Sequence, residues 1–449
     1  MTDKKIAIVG AGLVGSLLSV YLAKRGYKVD VYERRPDMRK IKMSAGRSIN
    51  LALSTRGWSA LEKVGLKDEV MEIAIPMKGR MLHQTDGHVD FQPYGKVGEA
   101  IYSVSRGELN KCLMNATEPH KLVDYYFNQK CIKLDIKNSS VLFQNTENGE
   151  MNSIKHDIIF GADGAFSRIR YGLQKRPRFN YSQMYLEHGY KELTIPANND
   201  GSHKIEKNAL HIWPRKSFML IALPNLDGSF TCTLFAPFEG ENSFESITDE
   251  KSLMDFFYRN FEDAIPLMPD LKKDYFENPT SSLVTVRCSP WIHNNIALIG
   301  DASHAIVPFY GQGMNSGFED CRVLNELIDE HKFNWDKILA EFNKLRVPDA
   351  NAIADLALTN FIEMRDWVAD PGFLLRKKIE KQIAAEFPSF LPTYSMVTFS
   401  NIRYSEALEH SHQQNLLFEK IMKLKNVQDG LDDPEVRETV EEWLTIQSA

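Results

Sequence analysis

The sequence predicts an α/β protein with a discontinuous doubly wound domain, a mixed β-sheet domain inserted into it, and a C-terminal helical region. Short apolar runs typical of buried parallel strands occur near residues 5, 157 and 296. Between about residues 177 and 283, short strands alternate with Pro, Asn and Gly turns, and from about residue 315 the apolar spacing is helical. We assign 1–78, 96–176 and 284–345 to the first domain, 79–95 and 177–283 to the inserted sheet domain, and 346–449 to the helical region.

The composition of the 449 residues excludes several classes of function. Lys and Arg number 54 against 60 Asp and Glu, a net charge of −6, so no basic surface for nucleic acid is expected. The chain has no apolar run long enough to span a membrane, and its start lacks the cleavage site of a secretory signal. Five widely spaced cysteines without a C-x-x-C pair favour a reducing compartment over a disulfide framework or zinc ribbon. We therefore expect a cytoplasmic protein without a metal site.

The chain opens with a predicted β-α-β unit. Residues 5–9 form a short β-branched strand, residues 13–25 a helix and residues 27–33 a second strand. Residues 157–161 and 296–300 are two further buried-strand runs that end at glycine turns. Because these runs are far apart in the chain, the first domain is expected to be discontinuous.

The inserted segment contains three predicted antiparallel strands, at residues 209–212, 218–223 and 229–235. The apolar stretches 219–223 and 230–235 suit the wall of a dry cavity, and a plain core strand is the alternative for any single residue there. In the C-terminal region, helices are expected to break at four prolines, namely Pro348, Pro371, Pro388 and Pro392.

A G-x-G-x-x-G pattern, formed by Gly10, Gly12 and Gly15, lies between the first strand and the first helix. We expect Gly10 to make the tight turn, Gly12 to let a pyrophosphate approach the backbone, and Gly15 to let the helix pack closely on the strand. The phosphate charge would then face free N–H groups at the helix N-terminus. With a strand before it and a helix after it, the pattern predicts a Rossmann-type dinucleotide-binding domain.

Glu33 ends the second predicted strand, where a carboxylate can accept hydrogen bonds from a ribose diol. The same carboxylate would repel a 2′-phosphate, so the site favours FAD or NAD over NADP. Arg34 and Arg35 follow directly. Two interpretations stay open for these arginines: a solvated loop, or contact with phosphate or adenine.

The segment from Gly300 to Asn315 distinguishes FAD from NAD. Asp301 follows a strand and can accept a hydroxyl of a ribityl chain, and a Pro- and Gly-rich loop then opens a helix at Met314. A helix N-terminus would stabilise the negative charge that a reduced isoalloxazine ring accumulates. Taken alone, the segment could be an ordinary strand-loop-helix connection. Together with the N-terminal fingerprint it predicts bound FAD.

With Gly161-Ala-Asp163-Gly164, these motifs resemble the single-component (class A) aromatic flavoprotein hydroxylases, over nearly the whole chain to about His412. Within the family, the resemblance is to members that hydroxylate L-kynurenine at ring position 3. It rests on the strings Gly46-Arg-Ser-Ile-Asn-Leu-Ala-Leu53, Gln92-Pro-Tyr-Gly95, Leu210-His-Ile-Trp-Pro214, Ile221-Ala-Leu-Pro-Asn225, Val307-Pro-Phe-Tyr-Gly-Gln-Gly-Met-Asn315 and Tyr394-Ser-Met-Val-Thr-Phe399.

The resemblance implies a flavin monooxygenase that keeps FAD bound, takes NADPH as a transient co-substrate, and oxidises its substrate with O2 through a flavin C4a-hydroperoxide. The flavin carries this chemistry, so no catalytic side chain is implied. Animal members have hydrophobic C-terminal membrane segments, whereas residues 426–449 here are polar and acidic. Membrane attachment is therefore not implied.

The resemblance also implies which residues form the two sites. Arg80 matches the position that grips the substrate carboxylate, and the other substrate contacts match Tyr94, Asn360 and Tyr394. Asp163 is implied to contact both FAD and NADPH. Besides the glycines, Glu33 and the two arginines, the implied FAD contacts are Val14, Tyr32, Ala52, Arg106, Cys131, Asp301, Met314 and Asn315.

Two alternatives stay open. A class A hydroxylase or epoxidase acting on another aromatic or polyene substrate would share FAD but not the requirement for Arg80 and Tyr94. A non-catalytic, redox-sensing flavoprotein would hold FAD without NADPH turnover stimulated by an aromatic amino acid.

Overall fold

The computed structural model describes residues 4–41, 50–94, 98–363 and 370–448. Residues 46–49 and Gly95, which belong to two of the family strings, lie outside these ranges. The strands are β1 (Lys5–Val9), β2 (Lys28–Tyr32), β3 (Asn50–Leu53), β4 (Ala74–Met77), β5 (Gly79–His83), β6 (Val89–Pro93), β7 (Ile101–Ser105), β8 (Val123–Tyr126), β9 (Gln129–Asp135), β10 (Ser140–Asn145), β11 (Met151–Lys155), β12 (Ile158–Gly161), β13 (Asn180–Ile195), β14 (Leu210–Arg215), β15 (Phe218–Pro224), β16 (Phe230–Pro237), β17 (Ser281–Ser289), β18 (Ile292–His293) and β19 (Ile296–Leu298).

The helices are α1 (Leu13–Lys24), α2 (Thr55–Lys63), α3 (Lys67–Met71), α4 (Arg106–Asn115), α5 (Arg168–Leu173), α6 (Glu250–Asn260), α7 (Leu271–Glu277), α8 (Asp301–His304), α9 (Gly313–Glu330), α10 (Trp335–Ile362), α11 (Pro371–Glu386), α12 (Thr393–Phe399), α13 (Tyr404–Ile421) and α14 (Pro434–Ser448). Short 3₁₀ turns lie at Glu118–His120, Glu262–Leu267, Pro308–Tyr310 and Val427–Asp432.

The first layer is a six-stranded sheet in the order β18-β19-β12-β1-β2-β8. β1 pairs in parallel with β2 and β12, and β12 pairs in parallel with β19. Ile6 and Ile8 are fully buried in β1, and α1 and α9 contribute to the same core. Strands from three distant parts of the chain thus form one sheet that is parallel except for the edge pair β18–β19, which confirms the predicted discontinuous Rossmann-type fold.

The second layer is a seven-stranded sheet in the order β17-β13-β16-β15-β14-β5-β6. β14 pairs in parallel with β5 and the other neighbours are antiparallel, so the sheet is mixed, as predicted. One face packs in a core with side chains of α6 and α7. The other face looks toward the 3₁₀ turn at Pro308–Tyr310 and toward α10. Two three-stranded sheets, β11-β10-β9 and β3-β7-β4, complete the β structure.

Three of the four prolines mark helix boundaries in the C-terminal region. Pro371 begins α11, Pro388 follows the end of α11, and Pro392 is the N-cap of α12. In the part of the chain that the structure describes, no helix is long and apolar enough to cross a membrane. The boundaries assigned to the three regions stay a prediction.

The predicted break at Pro348 is wrong, because α10 continues through this residue. Proline removes one backbone hydrogen bond from a helix interior. Here Arg346 and Asp349, on either side of Pro348, are buried and joined by an ion pair of 3.1 Å. Arg346 also pairs with Glu319 at 2.8 Å and with Asp320 at 2.7 Å, both on α9, so tertiary contacts hold this stretch of α10 where local propensity predicts an end.

Candidate active site

The turn between β1 and α1 requires glycine at two positions. Gly10 has φ +106°, and a Cβ there would lie 2.4 Å from the carbonyl oxygen of Ala162. A Cβ on Gly15 would lie 2.0 Å from the carbonyl oxygen of Gly10, so no side chain fits between helix and strand. Gly12 differs, since no atom of the described residues lies within 4 Å of its Cβ position. The turn is therefore open at Gly12.

Helix α1 begins at this opening without a side-chain cap on Gly12. The N–H of Ser16 donates to the Gly12 carbonyl oxygen at 2.8 Å, which closes the first helical turn. The preceding N–H groups have no partner within the helix. An open turn followed by free N–H groups suits a pyrophosphate, as the fingerprint predicts.

Glu33 lies beside this turn, just after β2, and is 7% exposed. Its Oε2 accepts a hydrogen bond from the N–H of Ala11 at 3.0 Å. Its Oε1 accepts from the backbone N–H and the Nε–H of Arg35, at 3.0 and 2.9 Å. Oε2 keeps a lone pair that a ribose hydroxyl can use, whereas Oε1 already accepts two hydrogen bonds. Arg35 is thus engaged by Glu33, whereas the side chain of Arg34 is exposed.

Val14 brings the second glycine-rich segment to the first. A Cβ on Gly300 would lie 2.9 Å from Cγ2 of Val14, and a Cβ on Gly317 would lie 2.5 Å from the same atom. The loop after β19 and helix α9 therefore pack directly on α1. Asp301 is exposed at the first position of α8, next to Gly300. The structure thus places the two predicted cofactor segments side by side.

Asn315 ties the start of α9 to β3. Its Oδ1 accepts from the N–H of Ser54 at 2.9 Å, and its Nδ2 donates to the carbonyl oxygens of Ala52 and Gly311, both at 2.8 Å. Met314, the preceding residue, is 9% exposed. The N-cap of α9 has no side-chain hydrogen bond, so a second uncapped N-terminus lies in this region.

Asp163 lies next to the first glycine turn, because its Cα would be 3.0 Å from a Cβ on Gly10. Its carboxylate accepts from Ser167 Oγ at 2.5 Å and from the N–H of Arg168 at 2.6 Å, and so caps α5. Burial raises the pKa of Asp163, although these hydrogen bonds oppose the shift. The carboxylate is therefore already engaged, and the predicted contacts of this loop with FAD and NADPH stay predictions.

The remaining predicted cofactor residues lie in different settings. The Tyr32 ring is stacked in the core on Phe143, with ring centroids 4.5 Å apart. Cys131 is buried in the same core, and burial raises the pKa of its thiol. Arg106 is exposed at the first position of α4. The side chains of Tyr32 and Cys131 thus pack in the core, and the predicted FAD contacts of all three residues stay untested.

Arg80, on β5, lies beside two of the other predicted substrate residues. Its Cζ is 4.7 Å from the ring centroid of Tyr394 and 5.4 Å from that of Tyr94. Burial lowers the pKa of Arg80, but the two tyrosines raise it by more, so the guanidinium stays charged. Arg80 Nε and Tyr94 Oη are buried and have no hydrogen-bond partner among the described residues. Two buried donors without acceptors are costly and point to an anionic ligand.

Tyr94, Tyr394 and Tyr310 form a stack of three nearly parallel rings next to Arg80. The ring centroids are 5.8 Å apart for the first pair and 5.5 Å for the second. Burial raises the pKa of Tyr94 and of Tyr310, so both phenols are neutral and can donate hydrogen bonds. Tyr310 belongs to the loop that leads into α9. The stack therefore connects the candidate substrate site with the candidate flavin site.

An apolar wall adjoins the stack, and alternate residues of β15 and β16 form it. Met219, Ile221 and Phe235 pack with Phe309 and with the tyrosine stack. Only every second residue of the two strands faces this side, because side chains alternate between the two faces of a sheet, and the prediction of a cavity wall stays a prediction for those residues. The residues facing the opposite core are Phe218, Leu220, Ala222, Phe230, Cys232 and Leu234.

Asn360 and Glu363 lie near the end of α10, close to the stack. Asn360 Nδ2 donates to the carbonyl oxygen of Phe309 at 2.7 Å. Burial raises the pKa of Glu363, and nearby cations including Lys377 and Arg80 oppose the shift. The sequence prediction missed Glu363; the only available signal was its spacing of three from Asn360, which puts both on one helix face.

Comparison with known proteins identifies similar sequences over the whole chain. The family described as FAD binding domain matches residues 3–355. The chain is 54% identical over 445 residues to a kynurenine 3-monooxygenase of Flavobacterium johnsoniae, which covers 99% of each protein. It is 46% identical over 407 residues to a kynurenine 3-monooxygenase of Sus scrofa, which covers 90% of this chain and 85% of that one.

Solved structures with low sequence identity share the fold. The tetrameric form of 2-methyl-3-hydroxypyridine-5-carboxylic acid oxygenase matches with a TM-score of 0.66 at 18% identity, over 83% of this chain and 95% of that one. PqsL of Pseudomonas aeruginosa, solved in complex with 2-aminobenzoylacetate, matches with a TM-score of 0.66 at 18% identity, over 81% and 97%. These likenesses support the arrangement of sheets and helices described above.

Proposed function

Because the chain belongs to the kynurenine 3-monooxygenases, within the FAD binding domain family, we propose that it hydroxylates L-kynurenine to 3-hydroxy-L-kynurenine, with NADPH and O2 as co-substrates. One observation carries the choice of substrate: the buried Nε of Arg80 and the buried hydroxyl of Tyr94 have no hydrogen-bond partner among the described residues, and they lie beside an apolar wall. L-Kynurenine has a carboxylate, an ammonium group and an aromatic amine ring, and the site offers a counterpart for each.

Arg80 is the proposed partner of the substrate carboxylate. A charge-assisted hydrogen bond contributes about 1.5–3 kcal/mol, and a guanidinium can bind a carboxylate with two parallel N–H donors. Tyr394, against the face of the guanidinium, restricts its orientation. Tyr94 adds a neutral hydroxyl donor from the same side of the site. The carboxylate would thus satisfy both buried donors at once.

The substrate ring is proposed to lie against Met219, Ile221, Phe235 and Phe309. These side chains come from the wall strands and from the loop that precedes α9. An apolar enclosure keeps water from the reacting centre and so suppresses hydrolytic side reactions. The aromatic amine activates the neighbouring ring carbon without help from a protein base, so the site needs positioning groups and no nucleophile.

The residues of the glycine turn fit FAD. Gly12 leaves room for the pyrophosphate, the free N–H groups of α1 can bind its charge, and Oε2 of Glu33 can accept a ribose hydroxyl. FAD, when bound, supplies the chemistry of accepting electrons from NADPH and activating O2. Because Glu33 repels a 2′-phosphate, NADPH must bind elsewhere, and the loop at Asp163 and Gly164 is the proposed place.

Glu363 is the proposed partner of the substrate ammonium group, and a pH dependence follows. Burial raises its pKa in the folded protein, so the charged form is lost at a higher pH than for an exposed glutamate. We expect the KM for kynurenine to rise as the pH falls through the acidic range. In Glu363→Gln, KM should be about tenfold higher at neutral pH, the effect of one charge-assisted hydrogen bond, and should not vary further with acid.

Steady-state kinetics across the pH range checks this prediction. Glu386→Gln is the control, since Glu386 is half-exposed on α11 and pairs only with Arg437 among the described residues. The control should retain the pH profile of the wild type. An unchanged profile in Glu363→Gln would instead remove Glu363 from the substrate site.

The proposed function is tested by NADPH oxidation of the purified flavoprotein with and without L-kynurenine, alongside chromatography for 3-hydroxykynurenine. Stimulated oxidation with matching product supports the reaction and the substrate together. Stimulated oxidation that yields only peroxide would mean that kynurenine stimulates flavin reduction without being hydroxylated. Other aromatic acids would then be tested as the substrate. No stimulation would contradict kynurenine as a ligand and leave the flavin fold intact.

A further inference from the structure

A cluster of charged side chains, buried except at Arg403, joins the flavin-side helices to the C-terminal region and has no part in the proposed substrate contacts. Arg56, on α2, is fully buried, and its Nη1 lies 2.7 Å from Oε1 of Glu319 on α9. Oε2 of Glu319 lies 2.8 Å from Nη1 of Arg346 on α10. Arg346 reaches Asp349 at 3.1 Å, and Asp349 reaches Nε of Arg403 at 3.2 Å. The cluster thus runs from α2 to the residue just before α13.

Arg56 also holds both ends of the connection between α12 and α13. It donates to the carbonyl oxygen of Val397 at 3.2 Å and to that of Ile402. Its Cζ lies 3.8 Å from the ring centroid of Tyr404, the first residue of α13. Because α12 carries Tyr394, these contacts determine where Tyr394 lies relative to α2.

Tyr404 links the same connection to the loop before α9. Its Oη donates to Oε1 of Gln312 at 2.9 Å, and Gln312 is only 1% exposed. Nε2 of Gln312 donates to the carbonyl oxygen of Tyr310 and to Oγ of Ser54, both at 3.4 Å. The ring of Tyr310 stacks in turn on Tyr394. The contacts of Arg56, Tyr404, Gln312, Tyr310 and Tyr394 therefore form a closed ring, here called the circuit, between the flavin-side loop and α12.

We propose that Arg56 and Tyr404 are positioning residues that hold α12 and the loop 308–315 in one fixed arrangement, so that the substrate ring and the flavin are presented to each other correctly. The inference rests on the proposed function and extends it to residues outside the site. A buried ion pair gives little net stability compared with apolar packing. Its hydrogen bonds are directional, however, and so define the angle between the elements they join.

Tyr404→Phe tests this inference, because it removes only the hydroxyl that reaches Gln312 and keeps the ring over Arg56. We expect full FAD content and faster amide hydrogen exchange in residues 308–315. We also expect the fraction of NADPH oxidation that yields 3-hydroxykynurenine to fall about threefold, a typical effect of one hydrogen bond. The Kd for kynurenine, measured by flavin absorbance titration, should change less than about twofold, since Arg80 and Tyr94 keep their contacts.

Arg56→Lys is the second variant, and it should loosen α12 itself. In the wild type three different guanidinium nitrogens reach Glu319 and the two carbonyl oxygens, and the single nitrogen of a lysine cannot reach all three acceptors. Tyr394 should therefore shift and the Kd for kynurenine should rise about tenfold. If Arg56→Lys does not fold, Tyr404→Phe still tests the proposed positioning role. Wild-type product formation tests the proposed function separately, and hydrogen exchange reports on the circuit even if kynurenine is not the substrate.

Tyr275→Phe is the matched control. Tyr275 is 3% exposed in the core on the opposite face of the seven-stranded sheet. The control should retain wild-type exchange in residues 308–315 and the wild-type yield of product per NADPH. Two results would overturn the inference: wild-type exchange and yield in Tyr404→Phe, or the same losses in Tyr275→Phe.

Discussion

Arg80→Lys is expected to bind L-kynurenine roughly 10- to 100-fold more weakly while retaining its FAD, because a point charge replaces a planar fork. Lysine cannot make the paired hydrogen bonds to a carboxylate. It would also lose the flat contact that places the guanidinium over Tyr394 at 4.7 Å. Titration of the flavin absorbance with kynurenine measures the Kd, and the flavin-to-protein absorbance ratio measures FAD content.

Arg259→Lys is the matched control for this experiment. Arg259 is exposed on α6, and its Nε donates to the backbone of Asp255 on the same helix. The control should bind kynurenine as the wild type does. If Arg80 only stabilised the tyrosine stack, Arg80→Lys would have a lower thermal stability without a selective loss of affinity for kynurenine. An unchanged Kd in Arg80→Lys would remove Arg80 from the substrate site.

Glu33→Lys is expected to purify as colourless apoprotein. The substitution removes the acceptor for the N–H of Ala11 and places an ammonium group beside Arg35, at a position only 7% exposed. The two cations repel each other, and the glycine turn loses its anchor next to the proposed ribose position. We expect FAD affinity to fall at least about 100-fold, which is the combined effect of losing the hydrogen bond from the N–H of Ala11 and the one from the ribose. Flavin absorbance after purification and reconstitution with added FAD measures the result.

Glu277→Lys controls for the change of charge, since Glu277 is exposed at the end of α7. It should purify yellow. Circular dichroism should show that Glu33→Lys keeps its secondary structure, which separates a lost cofactor from a lost fold. Full flavin content in Glu33→Lys would show that the N-terminal glycine turn is not the FAD site.

The parts of this protein that depend on neighbouring residues in the chain could be predicted. The strand Lys5–Val9 has the predicted bounds, and α1 ends one residue before the predicted helix end. Gly10 and Gly15 occupy positions where a Cβ would meet backbone atoms, as the fingerprint requires. Such features are set by local sterics and by the short span of a β-α-β unit, which a sequence pattern records directly.

Contacts between distant segments could be predicted only in part. The family resemblance pointed to Arg80, Tyr94 and Tyr394, and the structure places these three together. It did not point to Tyr310 as the third ring of the stack or to Glu363 near Arg80. Pattern reasoning also placed a helix end at Pro348, where α10 continues and the neighbouring Arg346 pairs with Glu319 and Asp320 of α9.

By itself the sequence determined the fold class, the glycine turn suited to FAD and the family, because short-range patterns and matching strings carry this information. Only the tertiary structure decided which alternate residues of β15 and β16 form the apolar wall, how Glu33 is held, and how Arg56 and Tyr404 connect the C-terminal helices to the flavin-side loop. The physical reason is that these contacts join residues up to several hundred positions apart. Their geometry depends on how whole sheets and helices pack, which no local spacing specifies.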